Sequence, residues 1–179
     1  MGNLRSVAKA LEAAGSEVTL TSDPAAITSA GALCVPGQGI FGRCVQAVDR
    51  LGLRGFVSDW LADERPYLGI CLGMQVLYAA SEESPGCPGL GFLPGTVVRL
   101  RGDVRIPHIG WNTVGDEYYY FDHSYAVVPE DEPADDAWCE HGIRFAARIV
   151  SGNLMGVQFH PEKSGAAGIE LLKGWIATI

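Results

Sequence analysis

Long apolar runs are missing from this chain of 179 residues. The richest stretch, YLGICLGMQVLYAA at 67–80, is broken by Gln75 and two glycines, and it falls short of the roughly 18 residues needed to cross a bilayer. No membrane span is expected. Basic residues are scarce too: Lys and Arg number 13 against 21 Asp and Glu, for a formal charge of −8. Binding nucleic acid requires a basic face to neutralise phosphates, so that partner is excluded and a small solute or another protein is favoured. Paired cysteines are absent as well. The five cysteines, Cys34, Cys44, Cys71, Cys87 and Cys139, form no CxxC, which suggests neither a disulfide framework nor a structural metal site. The N-terminus has no apolar export core, so the chain is expected to be cytoplasmic with its thiols reduced. MGNLRS matches the myristoylation pattern at Gly2 and Ser6, but no basic or membrane-directed segment supports it.

What is present suits a single domain over residues 1–179, since 47% of the residues are hydrophobic, enough for a continuous core. Leu4, Val7, Ala8 and Leu11 recur at helical spacing, with Gly15 as a stop. Val18 and Leu20 alternate as a strand. Asp23 before Pro24 reads as a helix N-cap. ALCVP at 32–36 and PYLGI at 66–70 are predicted buried strands, with helices between them to Leu51 and over Phe56–Ala62, and a further helix over Leu72–Glu83. This alternation predicts a parallel sheet with helices on both faces. From TVVRL at 96 onward the runs are β-rich, SGN at 151–153 reads as a hairpin turn, and a last helix covers Ala167–Ile176. The expected fold class is α/β, a flavodoxin-like mixed sheet whose later strands pair antiparallel.

GICLG sets Cys71 between small residues two before and two after, the requirement of a strained strand-to-helix turn that exposes a nucleophile. The competing reading is a buried thiol with small neighbours. Its place at the carboxyl end of a parallel strand, before a helix whose positive end favours thiolate, supports the first. The Leu72 amide then stands ready to donate to an oxyanion. In QFHPEKS, Pro161 favours an extended His160, so that His160 and Glu162 project to one side as a base and its orienter. The alternative is a solvated strand end.

PGQGIFG satisfies GxGxxG with Gly37, Gly39 and Gly42. A dinucleotide site needs an acidic residue at the end of the next strand, whereas Asp59 falls in a helical stretch. The same amides serve as the second half of an oxyanion hole. Glu82 and Glu83 read as a helix C-terminus, where the dipole disfavours carboxylates unless a ligand such as an ammonium meets one of them. Cys139 and His141 share a strand face without a second ligand pair, and no metal is implied.

GICLGMQ, QFHPEKS, the PGxG loop, PHIGWN and HSY together resemble the glutamine amidotransferase subunits of imidazole glycerol phosphate synthase, within the class I amidotransferases. The likeness runs the length of the chain. It implies a glutaminase of histidine biosynthesis that acts on L-glutamine without a cofactor and passes ammonia to a separate cyclase subunit in a heterodimer. By the resemblance, Cys71 is the nucleophile, His160 the acid and base, and Glu162 its orienter. The Leu72 amide with Gly37, Gln38 and Gly39 forms the oxyanion hole, and Gln75, Glu83, Ser124 and Tyr125 hold the glutamine head group. Asn3 and the run Pro107, His108, Ile109, Gly110, Trp111 and Asn112 face the cyclase. Gln38 departs from the small aliphatic residue common there. Family members also begin with a strand ahead of GNLRSV, and Met1 falls at that junction, so the expected fold lacks this strand. Two other functions stay open: a free-standing cysteine hydrolase of γ-glutamyl or ester substrates, and a catalytically weak binding subunit.

Overall fold

The computed structural model describes residues 4–130 and 137–179. Its central sheet has the order β1-β2-β10-β9-β8, formed by β1 (Leu33–Gly37), β2 (Tyr67–Cys71), β10 (Leu154–Val157), β9 (Ile143–Ser151) and β8 (Ala137–His141). β1, β2 and β10 run parallel, and β10, β9 and β8 pair antiparallel. Gly152, at φ 57, turns the chain between β9 and β10, where the SGN hairpin was expected.

Helices cover both faces because the side chains of β2, buried at every position, alternate across the sheet. Leu68 and Ile70 pack with α1 (Leu4–Ala13) and α6 (Gly165–Ile176). Tyr67 enters the opposite layer with Phe41 and Val45 of α3 (Phe41–Arg50) and Val57, Trp60 and Leu61 of α4 (Leu53–Ala62). The short helix α2 (Pro24–Thr28) is capped by the Asp23 carboxylate on the Ala25 amide, as its sequence predicts.

Two expectations are corrected. Val18 and Leu20 form no strand: residues 16–23 are irregular, and Leu20 is 54% exposed. A strand needs a neighbour to take its backbone hydrogen bonds, and among the described residues those at 16–23 join none of the three sheets. The helix expected over Leu72–Glu83 is only α5 (Leu72–Gln75), after which the chain enters β3 (Tyr78–Ser81). Tertiary pairing overrides helix propensity there, because β3 finds a parallel partner in β4 (Leu93–Arg99).

The β-rich second half does not join a single sheet. β3, β4 and β7 (Tyr125–Val128) form a three-stranded sheet, and β5 (His108–Val114) with β6 (Glu117–His123) forms a two-stranded ribbon. The run YYYFDHSYAVV is therefore split at Ser124. Ribbon alternation separates two faces. His108, Phe121, His123 and Tyr119 turn inward and are buried, while Ile109, Trp111 and Tyr118 are 56–60% exposed on the other side.

Candidate active site

Cys71 ends β2 with φ 54 and ψ −110, a backbone conformation that L side chains rarely occupy. The flanking glycines make the turn possible. A Cβ on Gly69 would come within 2.6 Å of the Gly73 carbonyl oxygen, and one on Gly73 would overlap the carbonyl oxygen of Val35 in β1. The strained turn expected from GICLG is present, and strain of this kind at a buried thiol points to function. The expected helix dipole is much reduced, because α5 has only four residues and few peptide units to align.

His160 follows β10. Its amide donates to the Tyr120 carbonyl at 2.8 Å, and its own carbonyl accepts the Ser164 hydroxyl at 2.6 Å. Ser164 Oγ also accepts the Tyr120 amide at 3.0 Å, so one buried hydroxyl pins the base to β6. Nδ1 of His160 meets Glu162 Oε1 at 2.9 Å, with both side chains almost fully buried, and Cys71 acts on the same ring. With Nδ1 taken, the nitrogen facing sulfur is Nε2. The extended geometry expected for residues 160–162 holds for His160 alone. Pro161–Lys163 is a 3₁₀ turn, and it is this turn that carries Glu162 back to the imidazole.

These groups border a cleft of about 390 Å³, open to solvent, whose lining includes Cys71, Leu72, Gln75 and His160. That is room for a ligand the size of an amino acid. Gln38, Gly39, Glu83, Ser124 and Tyr125 line the same cleft. Gly37 stands opposite Cys71 in the β1–β2 register and approaches so closely that a Cβ there would lie 2.6 Å from Leu72 Cβ. The residues singled out for nucleophile, base, orienter, oxyanion loop and head group thus converge. Asp122, His123 and Pro107 also line the cleft. Of these, sequence reasoning gave Asp122 no role and His123 none of its own.

Glu83 does not end a helix. Its Oε2 accepts the Phe41 amide at 2.7 Å, and Ser84 Oγ accepts the Gly42 amide at 3.0 Å. A carboxylate therefore caps the start of α3, the end that favours negative charge. This weighs against the dinucleotide reading of PGQGIFG, because the helix-start amides of Phe41 and Gly42, which a pyrophosphate would meet, already have partners. Gln75 gives its two amide hydrogens to the Tyr125 carbonyl and to Gln158 Oε1, each at 2.9 Å. What it can offer a ligand is its own carbonyl oxygen.

Of the residues expected to face a partner, Ile109 and Trp111 are exposed, whereas His108 is buried. Asn3 lies outside the described residues. His108 stacks on His141 at 4.0 Å between ring centroids, and its Nδ1 lies 3.0 Å from His123 Nε2. His123 Nδ1 lies 2.9 Å from the Tyr125 carbonyl, which can only accept. Nδ1 therefore carries the proton and Nε2 receives the one from His108. Both rings are neutral in this arrangement.

The charge states follow from these surroundings. Burial pushes His108 down to about 4, aided by nearby His141, and pushes His123 down to about 3. Burial would lower His160 as well, but its interactions with Cys71 and Glu162 outweigh burial and hold it at about 9. Among the other thiols, burial raises Cys34 to about 12 and Cys139 to about 11, and it moves Cys44 upward. A pH optimum of stability is expected as a result. His160 stabilises fully below its unfolded value near 6.5, and this contribution is lost as pH rises through about 9. His108 and His123 act in the opposite sense. Below pH 6.5 the unfolded chain takes up protons that the folded chain refuses, at a cost of about 1.4 kcal/mol per pH unit for each group. Urea midpoints should therefore peak near pH 6.5 and fall at both pH 5 and pH 9; a midpoint at pH 5 equal to the peak would contradict the neutral pair.

The pattern of the family described as Glutamine amidotransferase class-I matches residues 2–177. The imidazole glycerol phosphate synthase subunit HisH of Methanothermobacter thermautotrophicus is 40% identical, with 99% of this chain and 94% of that protein covered. The HisH subunit of Moorella thermoacetica is 42% identical, over 98% of this chain and 90% of that one. A solved structure described as a glutamine amidotransferase superposes with a TM-score of 0.72 at 18% identity, covering 99% of this chain and 95% of the other, a likeness that speaks to the fold.

Proposed function

The chain belongs to the class I glutamine amidotransferase family, and from that premise we propose that Cys71, His160 and Glu162 release ammonia from L-glutamine for a cyclase partner. The function is that of the glutaminase subunit of imidazole glycerol phosphate synthase in histidine biosynthesis, in keeping with relatives of that name at about 40% identity over nearly the whole chain. The observation that carries the site assignment is the imidazole held between Cys71 and the Glu162 carboxylate.

In the first half-reaction, Sγ of the Cys71 thiolate bonds to the side-chain amide carbon of glutamine. The carbonyl oxygen becomes an oxyanion, facing the amides of Leu72 and of the Gly37–Gly39 loop. Nε2 of His160 gives its proton to the amide nitrogen, the C–N bond breaks, and ammonia leaves a γ-glutamyl thioester. In the second, Nε2 takes a proton from water and the hydroxide adds to the thioester carbon. The C–S bond then breaks, glutamate departs and the thiolate returns. Glu162 keeps the imidazole oriented and stabilises its charged form. The Gln75 carbonyl and Glu83 suit an α-ammonium group, and the junction of β6 and β7 at Ser124–Tyr125 suits the rest of the head group.

The partner face we assign to the outer side of the β5–β6 ribbon. Ile109, Trp111 and Tyr118 form an exposed apolar set, of the kind that protein partners cover. Pro107 and Asp122, at the end of the same ribbon, line the cleft, so a subunit seated there would meet the mouth where ammonia is released. Mixing the chain with a cyclase subunit and its ligand should let glutamine replace ammonia as the nitrogen donor. Trp111→Glu should weaken the complex at least tenfold on a sizing column or by calorimetry while leaving the thermal midpoint near that of the parent. A cyclase that still needs free ammonia when this chain is present would reject the assignment.

A further inference from the structure

Gln158 is wholly buried and has no part in the chemistry described so far. Its backbone extends β10, donating to the Ala147 carbonyl at 2.8 Å, and its side chain points at the nucleophile: Nε2 lies 3.5 Å from Cys71 Sγ. The partners decide which end of the amide faces sulfur. The Tyr125 carbonyl is an obligate acceptor, so the end of Gln75 that meets it at 2.9 Å is nitrogen. That same nitrogen faces Gln158, which must answer with its oxygen, also at 2.9 Å. The nitrogen of Gln158 is then turned onto sulfur, with no freedom to flip.

We propose that Gln158 is a thiolate-holding residue, an N–H donor that positions Cys71 Sγ and favours its ionised form, oriented by a relay from the Tyr125 carbonyl through Gln75. The relay distinguishes the two charge states of sulfur. A thiolate takes the N–H as a charge-assisted hydrogen bond, whereas a thiol accepts only weakly. It also does work that the four-residue α5 is too short to do. Because Gln75 and Tyr125 line the cleft, the arrangement ties the wall that would receive substrate to the sulfur that would attack it.

The inference rests on Cys71 being the nucleophile, and its test does not depend on turnover. Iodoacetamide alkylation of Cys71 in the full chain is followed by peptide mass spectrometry from pH 5 to 9, with Cys87 as the internal standard. The other ionisable groups near the sulfur are His160 with Glu162 behind it and Cys44 of α3, while Glu83, Asp122 and His123 lie along the cleft. All of them are the same in parent and variant. In Gln158→Met the pH of half-maximal alkylation should rise by about one unit, and on the acid side of the parent midpoint the rate should fall about tenfold. Gln158→Glu, which keeps the acceptor for Gln75 but sets an oxygen against sulfur, should move it further. A Gln158→Met profile that superposes on the parent overturns the proposal. So does a higher KM for glutamine with kcat retained, because that would make Gln158 a substrate contact. Should neither variant fold, the side-chain amide of Gln158 in the ¹⁵N-labelled parent must shift with pH in step with alkylation, and a flat signal overturns the proposal equally. Failure of the glutaminase assignment shows instead as glutamine turnover that survives loss of Cys71, which the alkylation profile does not touch.

Discussion

Cys71→Ala is expected to abolish glutamate release from glutamine in the complex with cyclase, by a factor of about 10⁴ or more, while ammonia-driven cyclisation continues. In the proposed mechanism the sulfur forms the covalent intermediate, and the remaining groups have little to do without it. His160 would find no thiolate to pair with, and the amides around Leu72 would face an oxyanion that never forms. The fold should survive, because Cys71 contributes a strained backbone at φ 54 and a small side chain. Strain gives the prediction a second arm. Cys71→Gly, inactive like the alanine variant, should be more stable than it by about 1 kcal/mol, since glycine adopts a positive φ without steric cost. Equal melting of the two variants would show that the turn stores no strain, and turnover retained by either would remove Cys71 from the mechanism.

Gly73→Ala should be the most damaging of the small substitutions. Its Cβ would overlap the Val35 carbonyl oxygen, which is backbone of the neighbouring strand and cannot rotate away. Relief requires α5 to lift off β1, and that would open the contact between Gly37 and Leu72 and pull Cys71 out of its turn. Overpacking against backbone belongs to the severe class of substitutions, at about 4 kcal/mol or more, equivalent to a fall of roughly 10 °C or more in the thermal midpoint for a chain of this size. Gly52→Ala is the control. Gly52 has a left-handed backbone, φ 67, and open space around it, so only the conformational cost of about 1–2 kcal/mol applies. Near-identical melting of the two variants would mean that the approach of α5 to β1 is not what demands glycine at 73.

The motifs legible in sequence are those whose chemistry is local. GICLG announces a turn with small neighbours because the requirement falls two residues to either side of the cysteine. HPE places a carboxylate within two residues of an imidazole, near enough that either an extended strand or the observed 3₁₀ turn brings them together. The run from Pro107 to Asn112 was assigned to one face as a block, and only the pairing of β5 with β6 separates Ile109 and Trp111, outward, from His108, inward. Val18–Leu20 and Leu72–Glu83 were misread for one common reason. Local pattern states a preference, and the availability of a strand to pair with decides whether that preference is realised.

By itself, the sequence determined the α/β character of the chain and singled out Cys71, His160 and Glu162 as the candidates for nucleophile, base and orienter. Tertiary structure alone decided that Glu83 caps α3 across 42 positions, that Ser164 pins His160 to β6, and that Tyr125, Gln75 and Gln158 form a directed path to sulfur. Each of these is a hydrogen bond whose donor and acceptor meet only after separate strands have taken their places in a sheet. Such a bond leaves no periodicity in the chain to announce it, because its geometry is set by register and burial rather than by spacing.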